Sequence, residues 1–532
     1  MSTILRALRH PLLLLLTINL TVGLLTFHNY GLSWDEPLFY DYADSIWKAY
    51  SPEAFSPGFD FESVYGRSAE DHKTRGPAYL LLARPVQQSL ITLFGLDTAS
   101  AWHLVNFLTF QIIGVGFFYA LLLRWVGPSA AFLATALFAS QPLLWGHAFI
   151  NPKDTIFTAF FIAATQLGLQ MIDQLAQHNP SQQTAQGNSH PQTAWRSLPL
   201  AVKLSTWPAI VFGLTISIRI LAPLAGLLIG IYALIKLQKN IFNRLNLLTL
   251  AVFGITTALA MIVSWPYLWA NPLTRLSEIV ELMSRHPASI QVLFSGQLYP
   301  AYDLPYSYLP KLLALTLTEP VWPLFALGIL LVVWKRQDWP ALAPLLLWFI
   351  IPFFYVVLRR PPLSDNFRHF LFILPPIFIY AAIAIDALST RLRHNWAVAI
   401  LGALLLMPGI YANARLHPYE YTYYNSLAEG PYRAYETDYW LTCYKEAAEW
   451  AQANDPGATL HVQREPALAR YYAPTLTIAD LDKEPESNVQ PGDLLLLSTR
   501  ANMDTRSIYR SLPVVTSFGR NGAEFCIIKR NK

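Results

Sequence analysis

The stretch PLLLLLTINLTVGLLTF at residues 11–27 runs directly into HNYGLSWDE at 28–36. The first part is long and apolar enough to cross a bilayer core. The second is too polar to enter it and ends on two adjacent carboxylates, Asp35 and Glu36. Acid/base groups are thereby set at a membrane surface, which suits an integral-membrane enzyme handling a lipid-linked substrate. Arg6 and Arg9 precede the apolar run and no small-residue cleavage site follows it. The sequence therefore predicts an uncleaved first span.

Composition agrees with that start. Of 532 residues, 54% are hydrophobic and only 14% charged, too apolar a balance for an ordinary soluble protein. The net charge of +4 is small and its basic residues are dispersed, which excludes nucleic acid as a natural partner. Roughly eleven apolar stretches approach spanning length: residues 11–27, 102–123, 129–148, 155–172, 200–218, 220–235, 246–265, 311–334, 340–358, 370–387 and 396–412. Only Arg219 separates the fifth from the sixth.

Basic residues set the orientation. Arg6 and Arg9, Arg124, Arg196 and Lys203, Lys236, Lys239 and Arg244, Lys335 and Arg336, and Arg391 and Arg393 fall at alternate connections, the cytoplasmic ones. The Asp35 loop, the 266–310 loop and the C-terminal tail are then expected outside. Lys153, Arg219, Arg359, Arg360 and Arg368 break the pattern by sitting at outer span ends. Any one of them can snorkel to headgroups, but five on one face suit an anionic ligand such as a lipid phosphate. The Gln- and Asn-rich segment between the fourth and fifth stretches reads as a flexible cytoplasmic loop. Its His178 and His190 lack companion ligands, so no metal site is read there.

Beyond residue 413 the composition changes. An aromatic connector leads to a helix over 444–453, then to strand-like runs ATLHVQ, LTIAD, DLLLLST, VVTSF and EFCIIKR, the last two joined at Asn521-Gly522. This predicts a membrane unit over 1–413 and a small α/β soluble domain over 414–532. Glu436, Asp438, Glu446 and Glu449 read there as a solvated face. Cys443 and Cys526 form a disulfide or remain two buried thiols; both readings stand.

Pro37 opens a run whose apolar and aromatic positions fit an amphipathic interfacial helix, so Asp35 sits between two anchored helices. That position suits a general base acting on a hydroxyl. At Asn151-Pro152-Lys153-Asp154, Pro152 and Asp154 fit a helix start, and Lys153 with Asp154 at the depth of Asp35 can shape a catalytic cavity. Tyr302-Asp303 and Arg368-His369 also precede outer span ends.

The set Trp34-Asp35-Glu36, Asn151-Pro152-Lys153-Asp154, YDLPYSYLP at 302–310, FRHFLFILPP at 367–376 and ETDYW at 436–440, in this order on this topology, resembles the GT-C superfamily of polyprenyl-phosphate-dependent glycosyltransferases. It is most similar to family 39, which holds protein O-mannosyltransferases and lipid A aminoarabinose transferases. The resemblance implies a GT-C fold in a bacterial cytoplasmic membrane, with its active site outside. It implies an inverting transfer of a sugar from a polyprenyl-phosphate donor to an acceptor hydroxyl, with no cofactor and no metal. Catalytic roles fall to Asp35 as base, Glu36 and Asp154; substrate binding falls to Lys153, Arg219, Tyr302, Arg368 and His369. Where protein mannosyltransferases carry Arg-x-x-Leu-Leu-Asp this chain has Asn-Pro-Lys-Asp, and their His-Pro-Pro is here His72-Lys73-Thr74-Arg75-Gly76-Pro77. The acceptor need not be a protein, nor the sugar mannose, and His72 is better read as a loop anchor. A transporter of a lipid-linked anion would use the same cations, and a polysaccharide polymerase or ligase the same substrates.

Overall fold

A computed structural model describes residues 11–178, 194–285, 290–335, 339–392, 394–428, 430 and 432–531. The loop expected across 179–193 lies outside them. Each of the eleven apolar stretches is helical, but they are not eleven uniform spans. Eight described helices have spanning length and composition: Pro11–Asn29, Thr98–Leu122, Asp154–Gln177, Ser197–Ile218, Pro223–Phe242, Arg244–Val263, Pro340–Arg359 and Asn395–Leu416. A ninth arises if Tyr308–Thr316 and Val321–Trp334, bent by 105°, count as one.

The shortfall has a local cause. The 129–148 stretch splits into Pro128–Ala139 and Pro142–Ile150, because Pro142 has no N–H to continue the first helix and starts the second instead. The 370–387 stretch begins as a tight 3-10 segment, Arg368–Ile373, and becomes α-helical only from Pro375 to Ser389. Hydropathy sums over such breaks without registering them.

Burial sorts the helices. The first span is mostly open on its flanks, as a lipid-facing helix must be, whereas Asp154–Gln177 is almost wholly enclosed by its neighbours. One polar contact crosses this unit's interior: Asn19 Nδ2 donates to Gln111 Oε1 at 3.0 Å, within a π-helical segment Phe110–Val115 of the second span. The amphipathic helix expected after Pro37 is Glu36–Ser45, and its Phe39, Tyr40, Tyr42 and Ala43 are buried in protein. It is therefore part of the core more than an interfacial float.

A hairpin that the sequence reading passed over, β1 (Gln291–Phe294) and β2 (Gln297–Pro300), rises from the 266–310 loop on a Ser295-Gly296 turn with positive φ at both residues. The tail forms a five-stranded sheet of β3 (Leu460–Val462), β4 (Ile478–Asp480), β5 (Leu494–Ser498), β6 (Val514–Arg520) and β7 (Ala523–Arg530), in the order β4-β3-β5-β7-β6. β3 pairs parallel with both β4 and β5, while β5–β7 and β6–β7 are antiparallel. Cys443, before the helix Tyr444–Asn454, is disulfide-bonded to Cys526 in β7, with Cα atoms 6.2 Å apart.

One continuous hydrophobic core runs from the first span into this sheet. The connector is why: Tyr419, Tyr421, Tyr439 and Trp440 are all buried. Two of its acids correct the solvated-face reading. Glu436 and Asp438 are buried, and Asp438 accepts from Thr442 N at 3.0 Å and Cys443 N at 2.9 Å, fixing the entry to the following helix.

Packing is closest where Gly328 of Val321–Lys335 meets Pro375–Ser389, because a Cβ there would lie 1.9 Å from the Tyr380 carbonyl oxygen. Gly328→Val is expected to force these helices apart at a cost of about 1–3 kcal/mol or more. A thermal melt of the purified chain checks it, and an unchanged Tm would contradict this packing.

Candidate functional site

The two acids of the opening loop have different fates. Glu36 is fully buried: its Oε2 accepts from Ser33 N at 2.6 Å, its Oε1 from Tyr40 OH at 2.6 Å, and His103 Nε2 lies 3.1 Å away. A carboxylate so enclosed shapes the loop and is not placed to touch a substrate, which corrects its expected catalytic role. Asp35, at the start of the same helix, keeps 28% of its side chain exposed and meets Arg368 Nη2 at 3.1 Å.

Asn151-Pro152-Lys153-Asp154 closes on itself before the helix Asp154–Gln177. Asn151 Oδ1 accepts from Lys153 N at 3.1 Å and Asp154 N at 2.8 Å, while its Nδ2 donates to Asp154 Oδ2 at 3.1 Å. Asp154 is thus aimed by its own turn. Arg219, in the break between two spans, forms an ion pair with Asp154 Oδ1, and Arg368 Nη1 lies 3.2 Å from Oδ2.

Arg368 also holds Asp365 at 3.0 Å and stacks over Trp440, its guanidinium 4.9 Å from the ring centre. Burial opposes its charge, but Asp35, Asp365 and Asp154 outweigh burial and raise its pKa. Asp365 carries the chain on to the tail, where Arg500 Nη2 sits 2.7 Å away. Arg500 lies over Trp34 at 4.1 Å, returning to the opening motif.

Beside this cluster is a cavity of about 220 Å³. Arg75, Lys153, Arg219 and His369 supply its polar wall, and Ile220, Leu221 and Phe370 contribute to its apolar one. Gly76 admits the wall, since a Cβ there would lie 1.6 Å from the Ser217 carbonyl oxygen. Lys153 forms no carboxylate pair among the described residues. Burial, then Arg75 and Arg219, push its ammonium well below the usual lysine range. Burial and Arg368 likewise push His369 well below the usual imidazole range. An anion entering this pocket would favour the charged ammonium that burial and two guanidinium groups oppose, and the apolar wall would take an attached hydrocarbon, so the pocket fits an amphiphilic anion.

No family model matches this sequence, and no curated protein matches it significantly. Solved structures do. ArnT from Cupriavidus metallidurans in the apo state aligns with TM-score 0.50 over 97% of this chain and 97% of its own, at 15% identity. The chain has the GT-C fold. The same ArnT bound to undecaprenyl phosphate gives TM-score 0.47 over 97% of each chain at 15% identity. The Archaeoglobus fulgidus oligosaccharyltransferase tethered with an acceptor peptide gives 0.46, over 94% of this chain and 70% of that one, also at 15% identity.

Within this GT-C scaffold the structure brings together Asp35, Lys153, Asp154, Arg219, Arg368 and His369. Tyr302 does not join them: it is 63% exposed on a turn and lines no part of the cavity. Arg360 is drawn to Asp303, at 3.0 Å. His72 is the expected loop anchor, with Nδ1 3.0 Å from the Tyr65 carbonyl oxygen. Sequence reasoning gave no role to Arg75, Asp365, Trp440 or Arg500. Asp365 had one usable signal: Ser364-Asp365-Asn366 follows two prolines, and Asp365 and Asn366 both take positive φ, which Asp and Asn tolerate best. Among the described residues no group of three or more His, Cys, Asp and Glu side chains is arranged to hold a metal ion.

Glu436 backs this network, its Oε1 3.8 Å from Arg500 Nε. Burial pushes its carboxyl up to about 7; Arg500 opposes this and Asp365 reinforces it. A carboxyl raised on folding binds more protons folded than unfolded, so the stability it contributes falls as pH rises from the ordinary carboxyl range to about 7. Glu436→Gln is expected to flatten that part of the Tm–pH curve. A slope identical to wild type would disprove the linkage.

Proposed function

We propose that this chain is an inverting glycosyltransferase that moves a sugar from a polyprenyl-phosphate donor to an acceptor hydroxyl, at the outer face of a bacterial cytoplasmic membrane. The observation that carries the reading is the contact of two unlike sites. A basic cavity with an apolar wall, holding Lys153 without a carboxylate partner among the described residues, is linked through Arg219, Asp154 and Arg368 to a partly exposed carboxylate, Asp35. The GT-C fold, shared with a lipid A aminoarabinose transferase, supports it.

In this reading the donor phosphate sits among Arg75, Lys153 and Arg219, with its lipid along the apolar wall. The acceptor hydroxyl approaches Asp35, which takes its proton as oxygen attacks the anomeric carbon. The bond to the phosphate oxygen breaks on the opposite side, and the negative charge that grows there meets cations already in place. Such preorganised charge is worth on the order of several kcal/mol of barrier. Asp154 is a positioning residue: it fixes Arg219 and Arg368 and points no free oxygen at the reaction. The basic residues at alternate connections support reading this side as the outer one.

The test is to incubate the purified chain with a panel of polyprenyl-phosphate sugars and follow release of free polyprenyl phosphate. Transfer releases it; a transporter of the same lipid releases none, and that result would remove the proposal. Asp35→Asn is expected to lower turnover by about 10²–10⁴-fold without loss of membrane insertion. Lys153→Gln should raise the donor KM more than it lowers kcat. Unaltered donor use would take Lys153 out of the phosphate site.

A further inference from the structure

The tail carries a second basic cavity, of about 450 Å³, at the carboxyl ends of β3 and β5. These strands are parallel neighbours, and the chain leaves them in opposite directions. From β3 it passes through the helix Pro466–Tyr472 to β4 on one side; from β5 it continues toward β6 and β7 on the other. That divergence opens a crevice between the two exit loops, where open α/β sheets bind ligands. Both exit loops are held in costly backbone: Arg464 and Glu465 after β3, and Ala501 and Asn502 after β5, all have positive φ. None is glycine, so each loop is held by its surroundings.

The side chains at this crevice are cationic. Gln463, Arg464, Arg500, Ala501 and Arg506 line it, together with Gln291 of β1. Arg500 is already engaged by Asp365. Arg464 is less engaged: its one side-chain hydrogen-bond contact is Met503 Sδ, at 4.0 Å, and although Glu465 and Asp482 lie near enough to act on its charge, no carboxylate pairs with it among the described residues. It is part-buried, with its guanidinium 4.8 Å from the Trp34 ring centre, where Arg500 also lies. Burial, then repulsion from Arg500, lower its pKa. Two guanidinium groups on one indole, one of them unpaired at an open crevice, are stabilised by an incoming anion.

Trp34 precedes Asp35, and the run Arg500–Asp365–Arg368–Asp35 joins crevice to carboxylate through contacts of 2.7, 3.0 and 3.1 Å. We infer that the crevice is an acceptor subsite: Arg464 and Arg506, backed by Arg500, bind a phosphate or carboxylate carried by the molecule whose hydroxyl Asp35 deprotonates. Its assignment to an acceptor rests on the glycosyltransferase reading; the anion site itself does not. The acceptor is then an anionic glycan or glycolipid, held by its charge on the tail and presented to the membrane unit.

The full chain in lipid nanodiscs, preloaded with undecaprenyl phosphate to fill the Lys153 cavity, is titrated calorimetrically with inorganic pyrophosphate and, separately, glucuronate. Binding of at least one probe is expected in wild type and in Lys153→Gln. Arg464→Gln and Arg506→Gln should each weaken it on the order of tenfold, as a lost charge-assisted contact does. Arg506 is exposed, so its variant should fold whatever the first does. The stronger probe separates a phosphate from a carboxylate preference. No binding in wild type, or binding untouched by both arginine variants, overturns the subsite. Release of polyprenyl phosphate from polyprenyl-phosphate sugars is measured on a parallel preparation that has not been preloaded: anion binding with no release would remove the transferase reading and leave the anion site standing.

Discussion

Arg368 holds three carboxylates from three separate parts of the chain, and the geometry of the site depends on that clasp. Asp35 comes from the loop after the first span, Asp154 from the start of a central helix, and Asp365 from the turn before Arg368 itself. A planar guanidinium with five donors can satisfy all three at once, which a lysine could not do with fixed directions. Buried charges of this kind are costly to leave unpaired, so removing any one partner strains the others. The clasp therefore positions the loop, the helix and the turn relative to each other more strictly than apolar packing alone.

Its second effect is a division of charge. Asp154 is shared between Arg219 and Arg368, and Asp365 between Arg368 and Arg500, which uses up the acids near the cavity. Arg75 has only Asp71, at 2.7 Å, and Lys153 has none among the described residues. Arg75 and Lys153 line the cavity together with Phe370, Ile218 and Ile220. Asp35 is the one acid of the clasp with substantial exposure, and burial separates it from Glu36 next door.

Much of this was legible in the sequence, for physical reasons. A lipid-facing helix has no option but to be apolar, so the helical stretches declare themselves. Proline is ambiguous in the same text: Pro142 starts a new helix, whereas Pro208 and Pro352 sit inside continuous ones. Whether a stretch is one span or two depends on what neighbours supply to the broken backbone. Lys153, Arg219 and Arg368 stood out because cations are unusual at outer span ends. Asp365, Glu436 and Arg500 did not, since a buried ion looks like a surface one until its partner is known, and theirs lie up to 135 residues away. Tyr302 misled because an aromatic at a span end is equally at home on an exposed turn.

The tail reads differently once Arg500 is placed. Its strands are the ordinary products of alternating and apolar runs, and alone they suggest an appended module. Yet Arg500 donates to the Tyr439 carbonyl at 3.0 Å and to Asp365, and it covers Trp34. A residue only 1% exposed between the tail and the membrane unit cannot be withdrawn without stripping Asp365 of one of its two cationic partners. Detaching the tail therefore disturbs Arg368, and through it Asp35. The same coupling runs in reverse: anything that binds near Arg464 and Arg500 acts on the Asp35 side through two ion pairs. In this architecture the tail is a wall of the Asp35–Arg368 cluster, and the disulfide from Cys443 to Cys526 ties that wall to the connector carrying Tyr439 and Trp440.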